Sequence, residues 1–151
     1  MNLIRFLSQF LWIGSDDQPL PLWVQLDSCT ELPCDVCRGK ASNMAVQFVS
    51  PRNNLTEIKA DVRLTTLGIG MPFELDAERE NVCKNLMFGA YCPLDKDEDV
   101  TYHLVLDIGA HQPEVPAKIE VSLKDSTTQE ELTCFIVDIR IKKHLGGGKM
   151  N

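Results

Sequence analysis

Six cysteines, three histidines and one run of alternating aspartates are the side chains of this chain best equipped for chemistry. The cysteines fall at Cys29, Cys34, Cys37, Cys83, Cys92 and Cys134, and the short spacings Cys29-x4-Cys34 and Cys83-x8-Cys92 suggest disulfides made in an oxidising compartment. Zinc is the competing reading, but structural zinc sites usually take two short-spaced ligand pairs, and Cys34-x2-Cys37 is the one Cys-x2-Cys pair present. Asp95, Asp97 and Asp99 imitate the start of a calcium loop. The sixth position is Val100 where glycine is needed and the twelfth is Leu106 where a bidentate glutamate belongs, so the run reads as a solvated acidic turn. His103, His111 and His144 are scattered and give no local support for a catalytic dyad, and the glycines before Lys149 lack the strand and helix that a phosphate loop requires. No catalytic residue, metal or cofactor is expected.

Asn54-Leu55-Thr56 is an acceptor sequence for N-linked sugar in a polar stretch that reads as a surface turn, which makes Asn54 a candidate glycosylation site and agrees with secretion. The net charge of −7, with no long run of Lys or Arg, argues against a nucleic-acid partner and against lasting attachment to anionic lipid. A freely diffusing monomer is expected.

The elements that must carry these residues follow from periodicity. From Ile58 to Thr66 the residues alternate, Ile58, Ala60, Val62 and Leu64 with Lys59, Asp61, Arg63 and Thr65, the signature of a half-buried strand. Val100 to Ile108, Lys118 to Leu123 and Cys134 to Ile141 alternate in the same way, and Leu22 to Leu26 and Met44 to Phe48 supply two more strands. Pro51, Asn53-Asn54, Gly68-Ile69-Gly70, Pro113 and Pro116 read as turns. No segment of ten or more residues has helical periodicity, although Glu78 to Leu86 suits a helical turn. Six or seven strands of this kind in 151 residues predict one all-β domain, an antiparallel sandwich. Its boundaries are read as 21–143, after an atypical amino-terminal segment 1–20 and before a flexible tail 144–151. Met1 to Gly14 makes a poor signal peptide and is too short to span a membrane, so it is a degenerate targeting segment or an altered first strand.

Several stretches together carry a signature: Pro21-Leu-Trp-Val-Gln-Leu-Asp-Ser-Cys29, Leu32-Pro33-Cys34 followed by Arg38-Gly39, Gly70-Met-Pro-Phe73, Asn81-Val-Cys83 and Ala90-Tyr-Cys92-Pro93-Leu94. With this spacing, from about Pro21 to Lys143, the chain resembles the Niemann-Pick type C second-protein family of ML lipid-recognition domains, especially its arthropod members. The resemblance implies an immunoglobulin-like two-sheet sandwich with an apolar cavity between the sheets. It also implies a soluble carrier of a sterol, fatty acid or semiochemical that is secreted or resides in the lysosomal lumen. The alternative it leaves is a module that presents lipid to a receptor, with transient membrane or receptor contact.

By position, Phe73 matches the family's pocket-mouth phenylalanine and Pro72 the proline before it. Val115 stands where sterol carriers often have an aromatic gate, a departure that suits a wider mouth. Val121 and Phe135 occupy positions of tryptophans in vertebrate carriers, Leu106 and Ile108 fall near the opening, and Val62 and Leu64 complete the candidate ligand wall. The resemblance pairs Cys29 with Cys34 and Cys83 with Cys92. A third family bridge joins the first and last strands; Cys134 is present for it, but no cysteine precedes Cys29. Cys37 either replaces that partner or stays a free thiol, as does Cys134.

Overall fold

The computed structural model describes residues 3–6, 19–27, 29 and 31–143. His144, the glycine tail and most of the segment Met1 to Gly14 lie outside them. The described residues build nine strands: β1 Leu3–Phe6, β2 Trp23–Asp27, β3 Cys34–Cys37, β4 Ala41–Val49, β5 Ile58–Thr66, β6 Ile69–Phe73, β7 Asp99–Asp107, β8 Pro116–Asp125 and β9 Glu131–Lys142. They form a four-stranded sheet of order β1-β2-β4-β7 and a five-stranded sheet of order β3-β9-β8-β5-β6. The predicted all-β sandwich is what the chain forms.

Alternation explains most of the packing. On β5 the residues Ile58, Ala60, Val62 and Leu64 are buried while Lys59, Asp61 and Arg63 are exposed, because successive side chains of a strand leave opposite faces. Val24, Leu26, Met44, Val46 and Leu104 from the first sheet and Ile119, Val121, Leu123, Phe135 and Val137 from the second belong to the same apolar core.

Three strands were invisible to periodicity: β1 in the amino-terminal segment, β3 and β6. β3 is four residues long and lies parallel to β9, whereas the other strand pairs among the described residues are antiparallel. After β2 the chain leaves the first sheet through the Cys29–Cys34 turn and reaches the edge of the second sheet running in the direction of β9. β6 includes Ile69 and Gly70, which the sequence reading placed in a turn. The turn is Leu67-Gly68, with φ of 52° and 80°. Two successive left-handed residues make the two-residue hairpin that matches strand twist.

Between β6 and β7 the open side of the sandwich is closed by a short helix, α1 (Ala77–Glu80), and a 3-10 turn, Val82–Lys84, which pack against both β5 and β7. The Asp76 side chain caps α1 by accepting from the Arg79 N–H at 2.8 Å. Among the described residues no helix is long and apolar enough to cross a membrane.

Candidate functional site

Strand register assembles a wall from residues far apart in sequence. Phe73 on β6 faces Val62 on β5, Val62 faces Val121 on β8, and Val121 faces Phe135 on β9. Directly paired residues share a face, and since Val62, Val121 and Phe135 are buried inside the sandwich, all four belong to one inward row. Neighbouring strands are about 4.8 Å apart, so the row runs roughly 14 Å across the sheet. Its two phenylalanines flank two valines, which leaves the middle lower than the ends.

A second row lies beside it: Met71, Leu64, Ile119 and Val137. Leu64 was anticipated there; Met71, Ile119 and Val137 were not named as wall residues. The alternating pattern carried the signal for Ile119 and Val137, whereas Met71 was masked by the glycines that made its strand resemble a turn. Across the interior, β7 contributes Leu106, fully buried, and Ile108 follows just past the strand end, also buried.

Tyr102 is the polar member of this interior. It is fully buried, and its hydroxyl donates to the Arg79 carbonyl at 2.6 Å, tying β7 to α1. Burial, followed by the charges of Glu80 and Asp76, pushes its phenol well above the ordinary tyrosine range, so it remains a neutral donor.

Phe73 is half-buried and packs on the core. A cleft of about 220 Å³ reaches it and Val62 from outside, with Leu75 as a further apolar wall and Lys59, Glu74 and Glu80 among its polar groups. Along the same face of β6, exposure rises from Phe73 to Met71 (46%) and Ile69 (64%), and the turn residue Leu67 reaches 80%. An apolar strip thus leads outward from the core. Pro72, facing Arg63, is exposed on the opposite face of β6; it shapes the strand and borders the cleft while pointing away from the interior. Val115 is separate from this row. It precedes β8, half-buried, and its carbonyl accepts from the Ile141 N–H at 3.2 Å. Next to it, Pro116 joins Leu32, Pro33 and Leu67 around a groove of about 460 Å³ that includes the Lys118–Asp138 ion pair.

The cysteines resolve into two bridges. Cys29 is bonded to Cys34 with a Cα separation of 5.2 Å, and Cys83 to Cys92 with 5.6 Å. Cys37 and Cys134 carry no bridge and are both buried. Replacement of the missing partner by Cys37 is ruled out by register. Cys37 pairs with Lys142, eight positions along β9 from Cys134, a distance of roughly 26 Å where a disulfide tolerates a Cα separation below about 7 Å. Cys134 lies instead on the outer face of β9, as its place in the alternation implied. Its Sγ accepts from Ser122 Oγ at 3.4 Å, and its backbone N–H donates to the Pro19 carbonyl at 3.0 Å. Burial, opposed by the Ser122 hydrogen bond and helped by Glu131 and Glu120, pushes its thiol up to about 11.

His103 is half-buried on the outer face of the first sheet, with Nε2 2.9 Å from Asn43 Oδ1, and Asn43 in turn donates to Asp27 at 3.0 Å. No nucleophile is part of this chain of contacts. Among the described residues no group of three or more His, Cys, Asp or Glu side chains is placed to hold a metal ion.

The family model of the ML domain matches residues 14–141. The chain belongs to the ML-domain family. Within that family it is similar to the pig (Sus scrofa) protein named NPC intracellular cholesterol transporter 2, with 27% identity over 119 residues, covering 79% of this chain and 75% of the relative. A crystal structure of a Niemann-Pick type C2 protein from the Japanese carpenter ant superposes with a TM-score of 0.72 at 20% identity, covering 87% of this chain and 98% of the other. The ML fold expected from the cysteine and proline spacing is thus confirmed by sequence family and by shape.

Proposed function

We propose that this ML-domain protein is a soluble, non-catalytic carrier that holds one apolar small molecule, a sterol, fatty acid or similar lipid, between its two sheets. The observation that carries the reading is the inward row Phe73–Val62–Val121–Phe135, all hydrocarbon, joined to an outside cleft at Phe73 and Val62. Leu64, Leu106 and Ile108 extend the wall and Pro72 belongs to the rim, while Val115 stands apart from it beside the Pro116 groove. The name of the pig relative, a cholesterol transporter, supports the ligand class. The two disulfides suit the extracellular space or the lysosomal lumen, and a monomer is the working unit.

Affinity follows from size. A sterol of about 28 heavy atoms at roughly −0.3 kcal/mol per atom gives about −8 kcal/mol, a micromolar constant that permits both loading and release. The exposed strip Leu67, Ile69 and Met71 favours a second role, brief apolar contact with a membrane or receptor during transfer.

Mass spectrometry of organic extracts from natively purified protein tests the carrier reading, together with titration by a fluorescent sterol and a fluorescent fatty acid. A co-purifying lipid and saturable, mutually competitive binding are expected. Reproducible absence of lipid with no binding of either probe defeats the proposal.

A further inference from the structure

Two adjacent asparagines in the loop between β4 and β5 are used differently. Asn53 is engaged in holding the loop, its Oδ1 accepting from the Lys96 N–H at 2.8 Å. Asn54 is exposed, and among the described residues its side-chain amide makes no hydrogen bond. Its φ of 58° is a left-handed conformation that asparagine tolerates better than most residues.

The next residue, Leu55, is 1% exposed and is clamped to Leu94 by reciprocal backbone hydrogen bonds of 3.1 and 2.9 Å. Thr56 is exposed again. A buried leucine therefore anchors the triplet while the asparagine and threonine on either side of it face solvent. A folded protein that carries N-linked sugar must leave the acceptor asparagine at the surface, and this Asn-x-Thr triplet does so with an uncommitted amide.

We propose that Asn54 carries an N-linked oligosaccharide. The inference rests on the reading that the chain enters a secretory compartment. In the transfer, Asn54 Nδ2 forms a bond to C1 of the reducing sugar of a lipid-pyrophosphate-linked oligosaccharide. The C1–O bond to the pyrophosphate breaks, the lipid pyrophosphate leaves, and the amide nitrogen gives up one proton.

Asn54 lies before the start of β5, and the nine residues of that strand, about 26 Å long, separate it from the apolar turn Leu67-Gly68 at the far end. The glycan instead stands near a mixed-polarity cleft of about 590 Å³ bordered by Thr56, Lys84, Tyr91 and the Cys83–Cys92 bridge.

The test uses the full chain expressed behind a cleavable secretory leader in eukaryotic cells. Peptide mapping before and after peptide N-glycosidase is expected to find sugar on Asn54 and its conversion to aspartate on release. Asn54→Gln and Thr56→Ala each abolish the gel shift, while Thr56→Ser keeps it; Thr56→Ala leaves the left-handed asparagine in place, so loss of the shift is separable from misfolding. Secreted protein with an unmodified Asn54 overturns the inference. Fluorescent-sterol binding is measured on the same glycosylated and stripped samples, with equal affinity expected. An occupied Asn54 in a protein that binds neither lipid probe upholds the site and refutes the carrier reading instead.

Discussion

Phe135→Ala tests whether the inward row forms the proposed ligand wall or is ordinary core. Phe135 is fully buried at the β9 end of the inward row, opposite Val121, so its truncation carries the full cost of about 3–5 kcal/mol. Leu55→Ala, equally buried but anchored to Leu94 away from that row, costs a comparable amount of about 2–5 kcal/mol. The two differ in their response to ligand. At a free sterol concentration of 100 times Kd, the native protein gains about 2.7 kcal/mol, and Leu55→Ala should gain the same. If Phe135→Ala weakens sterol binding tenfold, the gain at that concentration falls to about 1.4 kcal/mol. Urea unfolding of the oxidised protein with and without sterol reads this directly, and Phe135→Leu provides the comparison at a smaller loss of stability. Equal ligand-induced gains for the native protein and both Phe135 variants would show that the row does not touch the ligand.

Three further outcomes are expected. Tyr102→Phe removes the donor to the Arg79 carbonyl, so thermal or urea unfolding should register a loss of about 1–2 kcal/mol. The Cys134 thiol, pushed up to about 11, should resist alkylation at pH 8 in the native state and react once urea unfolds the protein. Because the folded value is raised, its contribution to stability is complete below about pH 9, the ordinary value, and is lost as pH climbs through 11; a denaturation series across that window checks the sign. Pro72→Val restores a backbone N–H on β6, the edge strand of the five-stranded sheet. Counting from the two-residue turn, that N–H points away from β5, so the variant should self-associate more at high concentration, measurable by sedimentation.

The long strands were legible because each buries one face, and β5 matched its predicted limits Ile58 to Thr66. β3 escaped because four residues with two cysteines and an aspartate give no period to read, and its parallel partnership with β9 depends on a chain crossing that no local pattern encodes. β6 was obscured by Gly68 and Gly70 flanking Ile69, although one glycine belongs to the turn and the other to the strand. Of the wall, Val62, Leu64, Val121 and Phe135 were recoverable from alternation and resemblance, but their alignment with Phe73 is a property of register, which only the assembled sheet defines. The same holds for Cys134: alternation put it on the outer face, while the distance to Cys37 required the β3–β9 pairing.

The inward row of the second sheet also bears on how a carrier of the proposed kind would acquire a new cargo. Its four positions, 62, 73, 121 and 135, come from four strands and hang from backbone ladders that do not depend on side-chain size. Enlarging a valine or trimming a phenylalanine reshapes the trough one strand at a time and leaves the hydrogen-bond ladder in place. Because the positions are scattered along the sequence, a local insertion or segment exchange alters a single strand's contribution. Diversification of ligand preference on this scaffold should therefore proceed by isolated point changes at row positions, with loops and termini free to vary for other reasons.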